Sequence, residues 1–268
     1  MVAVSRSNQR VRQLRKLTRK AAYRYETGTF VIEGLSLLEE AISTGHTPID
    51  VFVSTNDDSL LGLIDGLTTE SPRVWHLDED TIRYVASTKN PQPVLASVPM
   101  MDVEFSDLMD ASPQFIVVAA GINDPGNAGT LIRSAAAAGA DGVVFSENSV
   151  DIFNSKVVRA TAGSLFRIPV VHSVAMSDFF DSCSSSGITT YGLCGQAETQ
   201  YDLCDYSSPL ALLVGNESTG LDGAIREKLD VEVGIPMEAG VESLNAGSAL
   251  SVVSFEVRRQ RELHASNT

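Results

Sequence analysis

The stretch QFIVVAAGINDPGNAGTLIRSAAAAGADGVVF, residues 114–145, indicates the fold class of the larger part of the chain. It begins and ends in short, fully apolar runs, and a helical segment built mostly from Ala and Gly lies between them. Apolar runs without polar alternation are typical of parallel strands that are covered on both faces. The stretch therefore predicts a strand, helix and strand unit of an α/β sheet.

Strands of the same kind recur through the C-terminal half. Hydrophobic runs separated by helical segments are found at GITTYGL (187–193), PLALLVG (209–215) and VEVGIPM (231–237). This alternation favours a parallel sheet with helices on both faces. We predict one domain over residues 114–268, preceded by a linker over 101–113.

The N-terminal half, residues 1–100, is predicted to be a second, smaller α/β domain. A helical pattern runs from Arg10 to about Tyr25. Strands and helices then alternate. The predicted strands are TFVIEG (29–34), IDVFVS (49–54), RVWHL (73–77) and KNPQPVLASV (89–98). The predicted helices are LSLLEEAIST (35–44), DDSLLGLIDGL (57–67) and DEDTIRYVAS (78–87), and the last of these is expected to begin at Asp78 or Asp80.

Charge is unevenly distributed along the chain. The formal net charge is -14, but residues 1–25 contain no acidic residue, so the rest of the chain carries all 34. A concentrated basic segment on an acidic body can bind a polyanion locally, although a solvated helix face is the alternative reading. The basic residues are Arg6, Arg10, Arg12, Arg15, Lys16, Arg19, Lys20 and Arg24.

The composition favours a soluble cytoplasmic protein. No apolar run is long enough to span a bilayer, and the basic N-terminus is not followed by the apolar core of a signal peptide. The three cysteines, Cys183, Cys194 and Cys204, match neither a zinc pattern nor a disulfide framework. We expect reduced thiols and no metal site.

Three loops at predicted strand ends carry unusual residues. They are GINDPGN (121–127), GNESTG (215–220) and the segment IPMEAGVESLNAG (235–247). Ligands of parallel sheets bind beyond the carboxyl ends of the strands, where these loops fall. Each has a plainer interpretation: Arg133 as a surface arginine, GNESTG as a simple turn, and Asn245 or Ser243 as a helix N-cap.

Taken together, the loops resemble a known family. The segments DPGNAGTLIR, LLVGNESTGL and IPMEAGVESLNAGSAL are similar, in order and spacing, to the three motifs of the SpoU (TrmH-like) RNA methyltransferases of the SPOUT superfamily. The stretch from Ser5 to Ile42 also resembles the ribosomal-protein-like RNA-binding domain of many members. One departure is SLNAGSALS, in which small residues replace the β-branched residues usual in the family.

The resemblance implies a fold, a cofactor and an assembly. The expected fold is an α/β SPOUT domain with a parallel sheet and a deep trefoil knot, which is rare among proteins. The expected cofactor is S-adenosyl-L-methionine, bound by the knot loops. The expected assembly is a homodimer with the active site at the subunit interface.

Residue roles follow from the motif positions. The resemblance assigns catalysis to Arg133, with Asn127, Glu217, Ser243 and Asn245 as the polar residues around it. It implies cofactor contacts at Gly215, Ile235 and Leu244, with Asn216 and Met237 as neighbours. Arginine is a poor base, because its pKa exceeds about 12, so electrostatic stabilisation of a developing alkoxide is the alternative to proton removal.

The function so implied is S-adenosylmethionine-dependent methylation of a ribose 2'-hydroxyl in a structured RNA. Ribosomal RNA is favoured over transfer RNA by the accessory-domain resemblance. The alternatives are a tRNA methyltransferase, a non-catalytic RNA-binding or ribosome-assembly factor on the same fold, and a nucleotide-binding enzyme without an RNA partner. The basic segment argues against the last of these.

Overall fold

The computed structural model describes residues 4–54, 62, 72–101 and 103–267. The chain forms two compact units. Unit 1 comprises Met1–Met101 together with Asp151–Phe166, and unit 2 comprises Asp102–Val150 together with Arg167–Thr268.

Unit 1 is built around a four-stranded sheet. Its elements are α1 (Gln9–Arg19), α2 (Ala21–Thr27), β1 (Thr29–Glu33), α3 (Leu35–Ser43), β2 (Asp50–Val53), β3 (Arg73–His76), α4 (Glu79–Val85), β4 (Val94–Pro99) and, from the later segment, α7 (Ser155–Ala160) with a 3-10 turn at Ser164–Phe166. Strand β1 pairs antiparallel with β4, β4 pairs antiparallel with β2, and β2 pairs parallel with β3.

Both faces of this sheet are covered. On one face α1 and α4 pack on Val31, Phe52 and Leu95. Phe30 contacts the rings of Phe153 and Phe166 from the later segment. Because burial of apolar side chains is the main stabilising term in folding, residues 151–166 complete the core of unit 1.

The elements of unit 2 are α5 (Phe105–Asp110), β5 (Phe115–Ala119), α6 (Pro125–Ala138), β6 (Gly142–Ser146), β7 (Val170–Val174), α8 (Met176–Ser186), β8 (Thr189–Leu193), β9 (Thr199–Gln200), a 3-10 turn at Tyr201–Leu203, β10 (Leu210–Val214), α9 (Gly223–Arg226), β11 (Val231–Gly234) and α10 (Ala246–Asn267). Its seven strands form an entirely parallel sheet in the order β7-β6-β5-β10-β8-β11-β9.

The central strands of unit 2 are buried on both faces, as their apolar sequences predict. Ile116 and Leu213 pack towards Phe179 of α8 and Leu108 of α5. Helices α6 and α10 pack against each other and against β5 and β10. Helix α5 falls inside the stretch that the sequence suggested as a linker, and its Leu108 is only 4% exposed.

Two departures from the sequence predictions concern helices α1 and α2 and strand β7, and a third prediction is untested. The helix predicted from Arg10 to Tyr25 is two helices, broken at Lys20, whose backbone is extended. Strand β7 was missed because this edge strand, VVHSV, contains a half-buried His and an exposed Ser. The helix predicted at 57–67 lies, apart from Gly62, outside the described residues.

Candidate functional site

The three unusual loops meet at the carboxyl edge of the parallel sheet in unit 2. The first follows β5, the second follows β10 and the third follows β11, and β10 is the direct neighbour of β5. Because all these strands are parallel, their carboxyl ends lie along one edge, where ligand crevices form.

The second loop is a tight turn that leaves no room for a side chain at Gly215. A Cβ atom at this position would lie 2.2 Å from the backbone carbon of Gly220. Asn216 shapes the turn, since its Oδ1 accepts from the backbone of Ser218 and its Nδ2 donates to the Gly121 carbonyl oxygen, 2.9 Å away in each case. The missing side chain at Gly215 therefore lets its own loop close, and the cofactor contact predicted at this residue stays a prediction.

A chain of hydrogen bonds links polar residues of all three loops. Asn245 Nδ2 donates to Asn127 Oδ1 over 2.7 Å, and Asn127 Nδ2 donates to Glu217 Oε1 over 2.9 Å. The backbone N–H of Asp124 donates to the same Glu217 oxygen over 3.1 Å. Residues up to 118 positions apart in sequence thus form one polar network.

Asn245 is also the N-cap of α10. Its Oδ1 accepts from the backbone N–H groups of Gly247 and Ser248, at 2.9 and 3.2 Å. The neighbouring Gly247 is buried, and a Cβ there would lie 2.8 Å from Thr130 Cγ2 of α6. The small residues at the start of α10 therefore permit close packing on α6 within the same chain.

The electrostatics of the network favour an ionised Glu217. Partial burial raises the pKa of this carboxyl, but the hydrogen bonds from the Asn127 amide and from backbone N–H groups outweigh it and lower the pKa below its ordinary value. Hydrogen bonds to the charged form have this effect generally. Glu217 is largely exposed, so it presents a negative charge to the loops at neutral pH.

A cavity of about 320 Å³ opens beside this network. All five predicted cofactor residues, Gly215, Asn216, Ile235, Met237 and Leu244, line it, together with Glu217 and Ser243. This volume falls within the roughly 300–1,000 Å³ typical of small-molecule sites.

Several residues of this cavity were not predicted from the sequence. Leu193 ends β8, Cys194 and Gly195 follow it, and Glu242 belongs to the third loop. Burial raises the pKa of the Cys194 thiol, which stays protonated at neutral pH. Cys194 and Gly195 come just after a predicted strand, so the rule that ligands bind beyond strand ends would have found this wall too.

Arg133 does not line the cavity. It is exposed on α6, and its side chain has no hydrogen bond or ion pair among the residues that the structure describes. By contrast, two other residues of the same helix point into the site region: Ser134 bonds to Ser251 of α10, and Asn127 bonds to Glu217 of the second loop. The structure thus joins Asn127, Glu217 and Asn245 by hydrogen bonds, places Ser243 at the cavity wall and leaves the guanidinium of Arg133 outside this network.

The eight basic residues near the N-terminus have different surroundings. Arg24 is 3% exposed, and its guanidinium binds Asp151 and the Leu17 carbonyl oxygen, so it acts inside unit 1. Arg15 stacks on the ring of Tyr84. Arg10 and Arg15 are half-buried, and the exposed members are Arg6, Arg12, Lys16, Arg19 and Lys20.

Two further features of the described residues bear on function. They contain no group of three or more His, Cys, Asp or Glu side chains arranged to hold a metal ion. No helix among them is long and apolar enough to cross a lipid bilayer.

The fold and the site together define a class. Unit 2 is a parallel α/β domain whose carboxyl edge combines a small-molecule cavity with an amide and carboxylate network, as expected of an enzyme that positions a bound ligand.

Comparison with known families agrees with this class. Residues 114–255 match the model of the SpoU rRNA Methylase family, and residues 8–96 match the MRM3-like substrate binding domain. The chain belongs to the SpoU rRNA methylase family.

Individual relatives extend over nearly the whole chain. A Bacillus subtilis protein named 23S rRNA (guanosine(2553)-2'-O)-methyltransferase RlmP is 33% identical, covering 95% of this chain and 98% of its own. The structure of the AdoMet-bound rRNA methyltransferase of Sinorhizobium meliloti superposes with a TM-score of 0.84 at 31% sequence identity, and the match covers 96% of this chain and 97% of that chain. The structure of the SpoU methyltransferase AviRb of Streptomyces viridochromogenes in complex with AdoMet superposes with a TM-score of 0.83 at 28% identity, and the match covers 95% of this chain and 98% of that chain.

Proposed function

We propose that this protein transfers the methyl group of S-adenosyl-L-methionine to a ribose 2'-hydroxyl of ribosomal RNA. The observation that carries the proposal is the Asn245, Asn127 and Glu217 network, which joins the three family motifs beside a ligand-sized cavity. The names of the relatives, which include a 23S rRNA 2'-O-methyltransferase, favour ribosomal RNA over transfer RNA.

The cavity residues fit the cofactor chemically. Ile235, Met237 and Leu244 offer apolar surface for a flat base, and the acidic residues Glu217 and Glu242 suit a ligand with positive sulfonium and ammonium groups. When bound, S-adenosylmethionine supplies a methyl group already activated by its sulfonium sulfur.

The protein's own part is positioning and charge stabilisation. The 2'-hydroxyl releases its proton to solvent, so negative charge develops on its oxygen. Formation of the bond from this oxygen to the methyl carbon would be matched by cleavage of the methyl–sulfur bond, which leaves a neutral thioether. We assign stabilisation of this charge, and of the adjacent phosphate, to the Arg133 guanidinium, because a guanidinium keeps its positive charge in proteins. The hydrogen bonds among Asn127, Glu217 and Asn245 hold the three loops in fixed positions relative to one another, and Ser243 lies at the cavity wall.

We also propose that the active protein is a homodimer whose interface completes the site. Support comes from Arg133, which lies outside the cavity of its own chain, and from exposed apolar side chains on α10, Val252 at 38% and Phe255 at 47%. A second copy covering this face would bury them. Sedimentation velocity should give twice the chain mass of 28.6 kDa; a monomer at enzymatically active concentrations would refute the dimer.

Three further parts of the proposal concern the chain's organisation. Residues 1–100, whose core is completed by 151–166, form an RNA-binding domain resembling ribosomal proteins. The linker 101–113 contains α5, and 114–268 form the methyltransferase domain with a deep trefoil knot. The position of β10 between β5 and β8, with β11 outside β8, is compatible with such a crossing. The site of action is the cytoplasm, in keeping with three free cysteines.

The decisive test is transfer of labelled methyl from S-adenosylmethionine to total RNA of cells lacking the gene, followed by nucleoside analysis. We expect one 2'-O-methylated nucleoside in ribosomal RNA. Arg133→Ala should bind the cofactor as the wild type does and lose at least about a hundredfold in kcat, the scale seen when one oxyanion donor is removed. Label found only in transfer RNA would favour a tRNA methyltransferase. No label, with the cofactor shown to bind, would favour a non-catalytic RNA-binding or ribosome-assembly factor.

The matched control for Arg133→Ala is Arg258→Ala on α10, because Arg258 is likewise an exposed arginine in unit 2 but is paired with Glu262. Wild-type kcat in both variants would remove Arg133 from the catalytic set.

A further inference from the structure

Unit 1 contains a second cavity that the methyl-transfer chemistry does not use. It has a volume of about 170 Å³ and lies between α1, α2 and strands β1, β2 and β4. Sites that enclose drug-sized ligands measure roughly 300–1,000 Å³, so this smaller space suits a single planar ring system rather than a whole cofactor.

The walls of this cavity combine apolar and aromatic surface. Leu14 and Leu17 of α1 and Phe52 of β2 contribute buried apolar side chains. The half-buried ring of Tyr23 forms another wall, and Lys16 Nζ lies 5.1 Å from its centroid. Aromatic rings with adjacent cations are the surfaces on which unpaired RNA bases stack.

Polar groups face the same space. Asp50 lines the cavity with a side chain only 7% exposed, and its carboxylate is held by Arg73 Nε at 3.0 Å and Trp75 Nε1 at 2.8 Å. Gln13 accepts from Arg10 through its Oε1. The amide N–H donors of Gln13 have no partner among the described residues, so they remain available to a ligand.

The surroundings carry the charge that an RNA strand requires. Arg10 lines the cavity, Lys16 caps its aromatic wall, and Arg12, Lys16, Arg19 and Lys20 are exposed on the same helix or just after it. The buried Asp50 carboxylate is offset by Arg73 and Arg10, with Arg10 Nη1 at 3.7 Å. A phosphodiester backbone can therefore follow the basic helix while one base enters the cavity.

We propose that this cavity receives one unpaired base of the RNA substrate, stacked on Tyr23 and hydrogen-bonded by Gln13 and Asp50. The inference rests on the proposed function, because it names how unit 1 holds that substrate. It makes single-stranded or looped RNA, rather than a continuous duplex, the form that unit 1 binds, since bases in a duplex are stacked and paired.

The protein contains its own reporter for this site. Trp75 is the single tryptophan of the chain, and its indole N–H bonds to the Asp50 carboxylate of the cavity. We expect a saturable change in tryptophan fluorescence when the full chain is titrated with a mixed-sequence single-stranded RNA dodecamer, and none with the same dodecamer as a duplex. No change at RNA concentrations that saturate binding by anisotropy would overturn the inference.

Substitutions of two residues in the cavity wall test whether the RNA base binds in this cavity. Gln13→Ala and Tyr23→Leu should each weaken binding of the single-stranded dodecamer about tenfold, as loss of one base contact does. Gln9→Ala is the matched control, because Gln9 is an exposed glutamine on α1 outside the cavity. Thermal melting confirms folding, and Gln13→Ala suffices if Tyr23→Leu is unstable. Unchanged affinity in a folded wall variant would refute the assignment.

Methyl transfer separates this inference from the proposed function. The wall variants should raise the KM for ribosomal RNA and leave kcat and cofactor affinity unchanged. If the wild type methylates RNA and the wall variants keep its KM, the cavity assignment is wrong and the function stands. If the wild type transfers no methyl group but the fluorescence results are as expected, the function is wrong and the base-binding cavity stands.

Discussion

At the scale of single residues, Asn245 has two roles that can be separated. Its Oδ1 caps α10, and its Nδ2 holds Asn127, which in turn holds Glu217. The first role is shared by many side chains at helix starts, whereas the second requires an amide donor.

An aspartate at position 245 keeps the cap and removes the donor. We expect Asn245→Asp to melt near the wild-type temperature and to lose most methyl transfer. Asn245→Ala should lose activity and also about 1 kcal/mol of unfolding free energy, because the cap is gone. Calorimetry and kcat on the three proteins test this. Wild-type turnover in the folded Asp variant would show that the Asn127 contact is dispensable.

Glu217 should make folding stability depend on pH in a defined direction. Its pKa in the folded protein is below the ordinary value of 4.5, so its ionised form stabilises the fold at higher pH. That contribution disappears as the pH falls through the lowered pKa. The difference in unfolding free energy between the wild type and Glu217→Gln should therefore shrink on acidification from pH 6 towards pH 3.

Denaturant titrations at several pH values measure this difference. Glu227→Gln, at an exposed position of unit 2, controls for the loss of one negative charge. A difference that stays constant across the acid range would contradict the hydrogen-bonded, ionised state of Glu217.

At the scale of elements, the contact between α6 and α10 sets the geometry of the site. Asn127 meets Asn245, Thr130 meets Gly247, and Ser134 bonds to Ser251 over 2.7 Å. The Thr130 hydroxyl also donates to the Gly126 carbonyl oxygen, which fixes the methyl group that faces Gly247. The two helices can approach closely only because position 247 has no side chain.

Gly247→Ala tests this packing. The added methyl lies too close to Thr130 Cγ2, and overpacking of this kind costs typically 1–3 kcal/mol. Thr130→Ala in the same chain removes the opposing methyl and should restore part of the lost stability, a positive coupling in a double-mutant cycle. If the changes in unfolding free energy caused by the two substitutions are strictly additive in denaturant unfolding, contact with Thr130 is not the reason for a glycine at position 247.

At the scale of the whole molecule, the segregated charge should govern RNA affinity. The exposed Arg12, Arg19 and Lys20 lie in a segment without acidic residues, on a chain whose net charge is -14. Replacing all three with Ala should weaken RNA binding and reduce the slope of log K against log salt by about 0.7 for each lost contact to a single strand.

Arg83→Ala is the control for this salt dependence, since Arg83 is exposed in unit 1 but paired with Glu79. Binding by fluorescence anisotropy at several salt concentrations gives both quantities. An unchanged slope in the triple variant would show that the basic segment is only a solvated surface. Cofactor affinity should stay constant throughout.

Much of the fold was predictable because strands and helix starts have characteristic residue patterns over a few neighbouring positions. The fully buried strands β5, β6 and β10 are almost entirely apolar runs. Asp78 does cap α4, its Oδ1 accepting from Thr81 N over 2.6 Å. Edge strand β7 lacks such a run and was missed. The break at Lys20 was missed as well, because Arg24 folding back to the Leu17 carbonyl is a contact that periodicity does not encode.

The sequence by itself determined the α/β class, the three motifs and the family, because these depend on residue type and order along the chain. Only the tertiary structure decided which motif residues meet. It joined Asn127, Glu217 and Asn245, left Arg133 outside the cavity, placed Arg24 in the interior and showed that Gly215 closes its own loop. Such outcomes depend on contacts between residues far apart in sequence, which form only when strands and helices pack.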